Sequence, residues 1–436
     1  MSKRVLIIAY YWPPSGGSGV QRWVKFVKYL PQFGWEPVVY VPENPEYPAL
    51  DPTLEAEVSA DVEVIRRPIL EPYSLYRKVM GKEASTDMKV VTEISSGEKT
   101  RKQRLSLWIR GNLFVPDPRV GWVLPSVHYL RKYLKENPVD VIVTTGPPHS
   151  MHLIGRRLHR ITHIPWIPDF RDPWTEMYYL KHLPLSRFTW KRLLRQEQRV
   201  LDQSSTVLAV TPLVQEAFQE RTATPVACIT NGYDESDFAG RLLSRRDKHF
   251  NLTHTGLFAA DGNPLTLWKV LGAMAAEDPD FKEALRLRLA GRVDREVYDA
   301  IADAGLSANV TDLGYCDHAT AVREQRAATV LLLPLRNDPQ YRPILPGKLF
   351  EYLAARRPVL GIGQSDGAMA RVLTETAAGI TADWDDASAM RSFLEKAWEE
   401  HRNRGVPPTS GDIAPYSRRN LTRALAQLLD KVSGNE

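Results

Sequence analysis

Val5-Leu6-Ile7-Ile8-Ala9 and the turn Pro13-Pro14-Ser15-Gly16-Gly17-Ser18-Gly19 decide the fold. Five consecutive apolar residues suit a strand buried on both faces of a parallel sheet. After the turn, Val20, Trp23, Val24, Val27 and Leu30 recur at helical spacing, and Gly34 ends that period. Val38-Val39-Tyr40-Val41 then predicts a second strand. Strand, Gly-rich turn, helix and strand in this order open a doubly wound α/β sheet.

Outward from this opening, apolar runs at 139–144, 166–169 and 207–210 predict further strands of the same sheet. A second alternating unit begins near 249. Its strands are expected at 250–253, 285–289, 330–333 and 359–362, with helices at 264–276, 293–305, 317–327, 346–356 and 366–377. Terminal helices are expected at 386–402 and 416–433. Two such units imply two Rossmann-like doubly wound domains with a cleft between them. The expected boundaries are 1–232, 233–412 and a C-terminal helix within 413–436. The polar, aperiodic stretch at about 80–104 predicts a long mobile insertion in the first domain.

Composition narrows the class. Of 436 residues 43% are hydrophobic and 25% charged, ordinary for a globular chain and wrong for disorder, collagen or coiled coil. Cys228 and Cys316 are the only cysteines, too few for a disulfide framework or a zinc site, which points to a reducing compartment. The apolar run behind Lys3-Arg4 stops at Pro13-Pro14 without a small-x-small cleavage site, so it reads as a buried strand rather than a signal peptide. The expectation is a cytoplasmic protein, free or peripheral on the cytoplasmic face of a membrane. Net charge is +5, yet residues 101–200 hold 18 Lys/Arg against 7 Asp/Glu. That excess predicts one face built for an anionic partner. Nucleic acid is not the expected partner, because the basic block lacks any recognised module.

Five constellations carry candidate chemistry. Gly16 and Gly17 lie between strand and helix, where backbone N–H groups can approach an anion; a flexible turn is the alternative, and neither a P-loop nor a dinucleotide fingerprint is present. Thr144-Thr145-Gly146-Pro147-Pro148-His149 follows a strand, so His149 can meet a substrate hydroxyl or phosphate, or simply face solvent at a helix entry. Asp169-Phe170-Arg171-Asp172 places two carboxylates around a guanidinium. It can orient a polyhydroxylated substrate, hold a base or form a structural ion pair, and the sequence does not choose between Asp169 and Asp172. Asn231-Gly232 alone reads as a tight turn. In Pro346-Gly347-Lys348-Leu349-Phe350-Glu351, the helix start can present Gly347 and Lys348 to a diphosphate, and Glu351 one turn on can accept two bonds from a ribose diol; a helix-surface ion pair is the alternative.

Taken in order, the opening Tyr-x-Pro-Pro and Gly-rich loop, the Asn231-Gly232-x-Asp234-x-x-x-Phe238 junction and the Pro-Gly-Lys-x-x-Glu-Tyr-Leu helix resemble a retaining GT-B-fold glycosyltransferase of the family 4 type. Pro-Pro-His149 and Asp-x-Arg-Asp-Pro-Trp look like its bacterial surface-polysaccharide branch. The resemblance spans essentially the whole chain. It implies an acceptor on the N-terminal domain and a nucleotide sugar on the C-terminal one, with no metal and no other cofactor. It implies a final helix that returns to the first domain. It makes Asn231 and Gly232 a donor-side loop and Gly256 part of the donor site. The acceptor would be a glycan or a polyprenyl-diphosphate-linked glycan. Segments 99–110 and 187–199, rich in Lys and Arg, would meet an anionic membrane surface.

Three departures qualify the resemblance. Glu351 supplies the second of the family's paired glutamates, but Pro343 stands where the first belongs. Asp338 and Asn337 are substitutes at hand, and the donor sugar is left open. The family's cationic diphosphate loop reads here Thr255-Gly256-Leu257-Phe258-Ala259-Ala260-Asp261-Gly262, so Arg292 or Arg342 must supply charge. Arg171 aligns with the family's histidine, which passes that work to Asp172 or His149. Two other classes remain open: an epimerase or hydrolase acting on the nucleotide sugar alone, and a non-catalytic binding protein of a polysaccharide-assembly system.

Overall fold

Alternation along β1 (Lys3–Ile8) organises the first sheet: Leu6 and Ile8 enter one core while Val5 and Ile7 enter the core on the opposite face. The computed structural model describes residues 3–47, 50–69, 71, 101–177, 180, 183–239, 248–403, 405 and 408–434. Of the expected insertion, residues 80–100 lie outside the described residues, and 101–104 already belong to a helix. The chain divides into two compact units, 1–230 with 419–436, and 231–418.

The first unit contains β2 (Trp35–Pro42), β3 (Glu63–Arg67), β4 (Val141–Gly146), β5 (Trp166–Phe170), β6 (Val207–Ala209) and β7 (Val226–Cys228) beside β1. All pair in parallel, in the order β3-β2-β1-β4-β5-β6-β7. Around them lie α1 (Ser18–Tyr29), α2 (Arg101–Leu113), α3 (Val123–Glu136), α4 (Ser150–Thr162), α5 (Arg187–Gln203) and α6 (Pro212–Gln219). The connections run outward in opposite directions from β1 and β4, so the switch point lies between those two strands, where ligand crevices form.

The second unit repeats the design. Its strands β8 (Phe250–Thr255), β9 (Leu285–Ala290), β10 (Val310–Gly314), β11 (Val330–Pro334), β12 (Val359–Ile362) and β13 (Gly379–Ala382) are ordered β10-β9-β8-β11-β12-β13, again parallel. Its helices are α7 (Leu265–Glu277), α8 (Pro279–Ala284), α9 (Arg295–Asp303), α10 (His318–Ala327), α11 (Gly347–Ala355), α12 (Ala368–Glu375) and α13 (Ala387–Asn403). The switch point falls between β8 and β11.

The last helix, α14 (Arg418–Ser433), belongs mostly to the first unit. Leu421, Leu425 and Leu429 recur on one face and enter the same core as Val20, Val24 and Val27 of α1. Asp430 pairs with Lys3 and accepts a 3.1 Å bond from Trp35 Nε1, which ties the helix end to the sheet.

Candidate functional site

At the second unit's switch point, β8 ends in the turn at Gly256, and α11 begins beside it. Gly256 has a φ of 90°, and a Cβ there would press on Lys348 Cε and Nζ at 3.1 Å. Glycine thus serves both the left-handed backbone and the close approach of the lysine. Lys348 Nζ donates to Leu257 O at 3.1 Å and meets His254 Nε2 at 3.2 Å. His254 is buried, and its Nδ1 lies 3.0 Å from Leu332 O. Nε2 also lies 3.2 Å from Leu257 O, so each ring nitrogen faces a carbonyl, and a neutral ring with its proton on Nδ1 can accept from the lysine. Burial and the neighbouring ammonium lower the His254 pKa to about 3, so the ring stays neutral. Burial lowers Lys348 to about 8 against the pull of Glu351 in the other direction.

One turn along α11, Glu351 Oε2 accepts a 2.8 Å bond from Gln325 Nε2, which also reaches Thr255 Oγ1 at 3.1 Å. Tyr352 OH accepts from Thr255 N at 3.0 Å, and burial raises that phenol to about 12. A cation and a carboxylate are therefore held one turn apart at a helix N-terminus. The set suits an anion beside a diol, as in a nucleoside diphosphate.

The other predicted donor-side residues stand as follows. Gly347 opens α11 after Pro346. Arg292 is exposed in the turn after β9, and its carbonyl accepts from Phe258 N at 2.8 Å, which places it on the same sheet edge as Gly256. Arg342 instead pairs with Asp366 at 2.9 Å. Asp338 turns its carboxylate onto Gln340 N at 2.8 Å, capping its own turn. Asn231 and Gly232 precede Tyr233, whose N–H donates to Tyr416 O at 3.1 Å and whose carbonyl accepts from Arg418 N at 2.8 Å.

The first unit gathers its own set at the β1/β4 edge. Gly17, with a φ of 101°, is the N-cap of α1, and Gly16 packs against Asp51. The next glycine in the turn, Gly19, makes room for a side chain: a Cβ there would overlap Arg171 Nη1. Arg171 Nη2 donates to Pro147 O, Arg171 Nε lies 3.4 Å from Gly146 O, and the guanidinium sits 5.9 Å from the Tyr11 ring centre. Arg171 thus joins three of the sequence constellations. Beside it, burial pushes Asp172 up to about 6, with Arg171 opposing and Asp169 adding to the shift.

Asp169 is not presented for contact. It is fully buried under this edge and accepts from Arg22 Nη2 at 2.9 Å, Trp23 Nε1 at 2.7 Å and Thr145 Oγ1 at 2.9 Å. The solvent-facing alternative for His149 also fails. Its ring is 2% exposed and stacks on Trp174 at 4.8 Å with a 4° interplanar angle. Burial, His152 and Arg171 hold its pKa well below the ordinary value, so it is neutral. Thr144 Oγ1 accepts from Trp166 Nε1 and lies 2.9 Å from His152 Nδ1. Burial takes His152 down to about 3.

A profile of Glycosyltransferase Family 4 matches residues 82–237. It covers a little over a third of the chain, nearly all of it in the first unit. Solved structures match over the full length. Sucrose-phosphate synthase from Thermosynechococcus elongatus is 15% identical with a TM-score of 0.62, covering 100% of both chains. α,α-Trehalose 6-phosphate synthase from Burkholderia multivorans is 13% identical with a TM-score of 0.57, over 100% of this chain and 97% of that one. WaaG, a glycosyltransferase involved in lipopolysaccharide biosynthesis, is 13% identical with a TM-score of 0.53, over 98% of this chain and 100% of that one. At these identities the likeness shows the fold, two Rossmann-like units of the GT-B kind. No curated protein matches the sequence.

Sequence reasoning missed His254 and Gln325, and it read Gly19 as part of an anion-binding turn rather than as room for Arg171. A histidine inside the buried strand β8 was a usable signal for the first. Gln325 gave none, since its partners are 26 and 70 residues away. Among the described residues no three His, Cys, Asp or Glu side chains are grouped to hold a metal ion. Among them, too, no helix is long and apolar enough to cross a membrane.

Proposed function

We propose that this chain transfers a sugar from a nucleotide-sugar donor to a glycan or lipid-linked acceptor, with retention and without a metal, in surface or exopolysaccharide synthesis. The observation that carries the reading is Lys348 held against the Gly256 turn with Glu351 one turn along α11. Glu351 binds the ribose of the donor. The α11 N-terminus, the Gly347 N–H and Lys348 bind its diphosphate, with Arg292 as a further cation. As the anomeric C–O bond breaks, the bonding pair goes to the diphosphate, and Lys348 stabilises that growing charge. The acceptor oxygen bonds to the anomeric carbon from the same face. Its proton passes to the leaving phosphate oxygen, so no strong protein base is needed. Asp172, partly exposed beside Arg171, orients the acceptor hydroxyl as a carboxylate. His149 acts from beneath, as a neutral wall.

The test is a thermal-shift screen against a nucleotide-sugar panel, followed by transfer assays with and without acceptor. A donor that binds the native state raises the melting temperature, and the shift grows with its concentration. Sugar release that needs no acceptor would move the reading to a hydrolase or epimerase. Binding with no turnover of any kind would leave a non-catalytic sugar-nucleotide binder.

The anionic partner proposed for this reading is a membrane surface. Arg187, Lys191, Arg192, Arg195 and Arg199 of α5 are all at least partly exposed, with Phe188 74% and Trp190 37% exposed among them. Glu197, the one acid among residues 187–199, is buried and paired with Arg221 at 2.6 Å, so it does not offset that face. Trp108, Ile109 and Leu113 of α2 are exposed as well, near Arg101 and Arg104. Such a mixture suits the headgroup region of an anionic bilayer. The protein should float with vesicles containing phosphatidylglycerol and detach as salt rises above roughly 0.15 M, where the screening length falls below about 8 Å. No flotation at low salt would remove the membrane from the reading.

A further inference from the structure

Between α2 and α5 lies a cavity of ≈ 170 Å³ walled by Phe114, Met177, Leu180, Leu183, Leu185 and Leu193. Of the polar groups that also line it, Asp117 and Arg119 are engaged elsewhere. Asp117 accepts from Ser150 N and Ser150 Oγ, each at 2.8 Å, and from Arg119 N at 2.9 Å. The Arg119 guanidinium pairs with Glu71 at 3.1 Å and donates to Tyr10 OH at 3.2 Å. With those two engaged, the lining is mainly apolar, with Arg110 and Tyr11 also part of it. It opens toward two features already described. Tyr11 and Pro147 are shared with the Arg171 site, and Met177 Sδ lies 3.4 Å from His149 Nε2. On the other side, Asn112 Oδ1 accepts from Ser186 N at 2.8 Å and Thr189 Oγ1 at 2.7 Å, which locks the end of α2 to the start of α5. The exposed Trp108, Leu113 and Phe188 therefore border the same pair of helices that wall the cavity.

We propose that this cavity seats the first isoprene unit of a polyprenyl-diphosphate-linked acceptor, whose chain comes from the bilayer and whose diphosphate lies toward Arg171. The proposal rests on the transfer reading above and names its acceptor class. Volume favours an isoprenoid: an apolar cavity of about 150 Å³ takes a six-carbon ring. A methyl-branched five-carbon unit fills a similar space, whereas a straight chain of the same length leaves part of it empty. Charge favours a phosphate lipid, since Arg110 lines the cavity and the basic faces of α2 and α5 flank it.

The experiment is calorimetric titration of the full chain with farnesyl diphosphate, inorganic pyrophosphate and dodecyl phosphate, below any critical micelle concentration. Farnesyl diphosphate should bind roughly tenfold or more tightly than either of the others, the worth of about two buried methylenes. Leu183→Trp, which fills the cavity from a partly exposed position, should bring farnesyl diphosphate down to the level of pyrophosphate while leaving the melting temperature and the donor response unchanged. If Leu183→Trp fails to fold, Leu185→Trp decides. Farnesyl diphosphate binding no tighter than pyrophosphate would overturn the cavity's role, and so would wild-type binding by the folded variant. Dodecyl phosphate binding as tightly as farnesyl diphosphate would overturn the isoprenoid assignment. The transfer reading fails separately: farnesyl diphosphate binding without response to any nucleotide sugar would end that reading and leave the cavity as a lipid site.

Discussion

Replacing Lys348 with Met lowers turnover by roughly 10²–10³-fold, the usual cost of losing one group aimed at developing charge, while the ligand-free protein keeps its melting temperature or gains slightly. Both halves follow from the same burial. Lys348 is held at a pKa of about 8 against an ordinary value of 10.5. Because the folded state binds this proton less readily than the unfolded one, holding the charge costs stability at every pH below about 8. That cost fades only as pH climbs from about 8 toward the ordinary value. Met removes the charge and with it the cost. The bonds to Leu257 O and His254 are lost too, at about 0.5–1.5 kcal/mol each, so the net change in stability is small. On the proposed reading, a bound diphosphate would restore what burial removed.

The same group should shape the pH profile. In the free protein Asp172 must be ionised, with a pKa of about 6, and Lys348 protonated, with a pKa of about 8. The profile of kcat/KM should therefore rise through about 6 and fall through about 8. The profile of kcat reports the donor complex, where the bound diphosphate favours the ammonium, so its basic limb should lie at higher pH. Lys348→Arg keeps a charge that does not titrate in this range and should abolish the basic limb. A basic limb unchanged in Lys348→Arg would show that another group sets it.

What the sequence made legible divides along a physical line. All nine inner strands are anticipated by the sequence, most of them as apolar runs, because a parallel strand covered on both faces has little solvent side to encode; β8 and β9 are the exceptions, with Asn, Thr and His or Arg between their apolar residues. The four strands that escaped the sequence reading are β3, β7, β10 and β13, the two edges of each sheet. Glu63–Arg67 places charges on both sides of Val64 and Ile65 and buries none of its residues fully. Val310–Gly314 is likewise nowhere buried. An edge strand needs only one neighbour, and polar residues there discourage pairing with another chain. The site divides similarly. Gly256, Lys348 and Glu351 are legible because helix starts and Gly turns are local. The support from Gln325 and His254 is not, since tertiary packing brings it from distant parts of the chain. Gly19 looks like part of an anion-binding turn, and its neighbour in space, Arg171, supplies the reason for a glycine.

Asp169→Asn should cost about 3–5 kcal/mol, the range for breaking a buried ion pair by removing one partner, and lower the first unit's melting temperature by on the order of 10 °C. Arg22 and Asp169 are both wholly buried and 2.9 Å apart. Arg22 also donates to Ile229 O at 2.9 Å and Thr230 O at 2.8 Å, so its geometry is fixed on both sides. An amide in place of the carboxylate leaves that guanidinium without its counter-charge. It also turns an N–H group toward Arg22, Trp23 or Thr145, all of which donate to Asp169. Arg22→Met alone should be about as damaging, because it leaves the carboxylate uncompensated instead. The double variant Arg22→Met with Asp169→Leu should recover much of the loss, since hydrophobic replacement of a whole buried pair is often tolerated. Asp172→Asn, three residues along, should do the opposite: the melting temperature stays and the acid limb near 6 disappears. Equal stability losses in Asp169→Asn and Asp172→Asn would mean that both carboxylates hold the fold. The expected contrast assigns one carboxylate of the motif to the scaffold and the other to the acceptor.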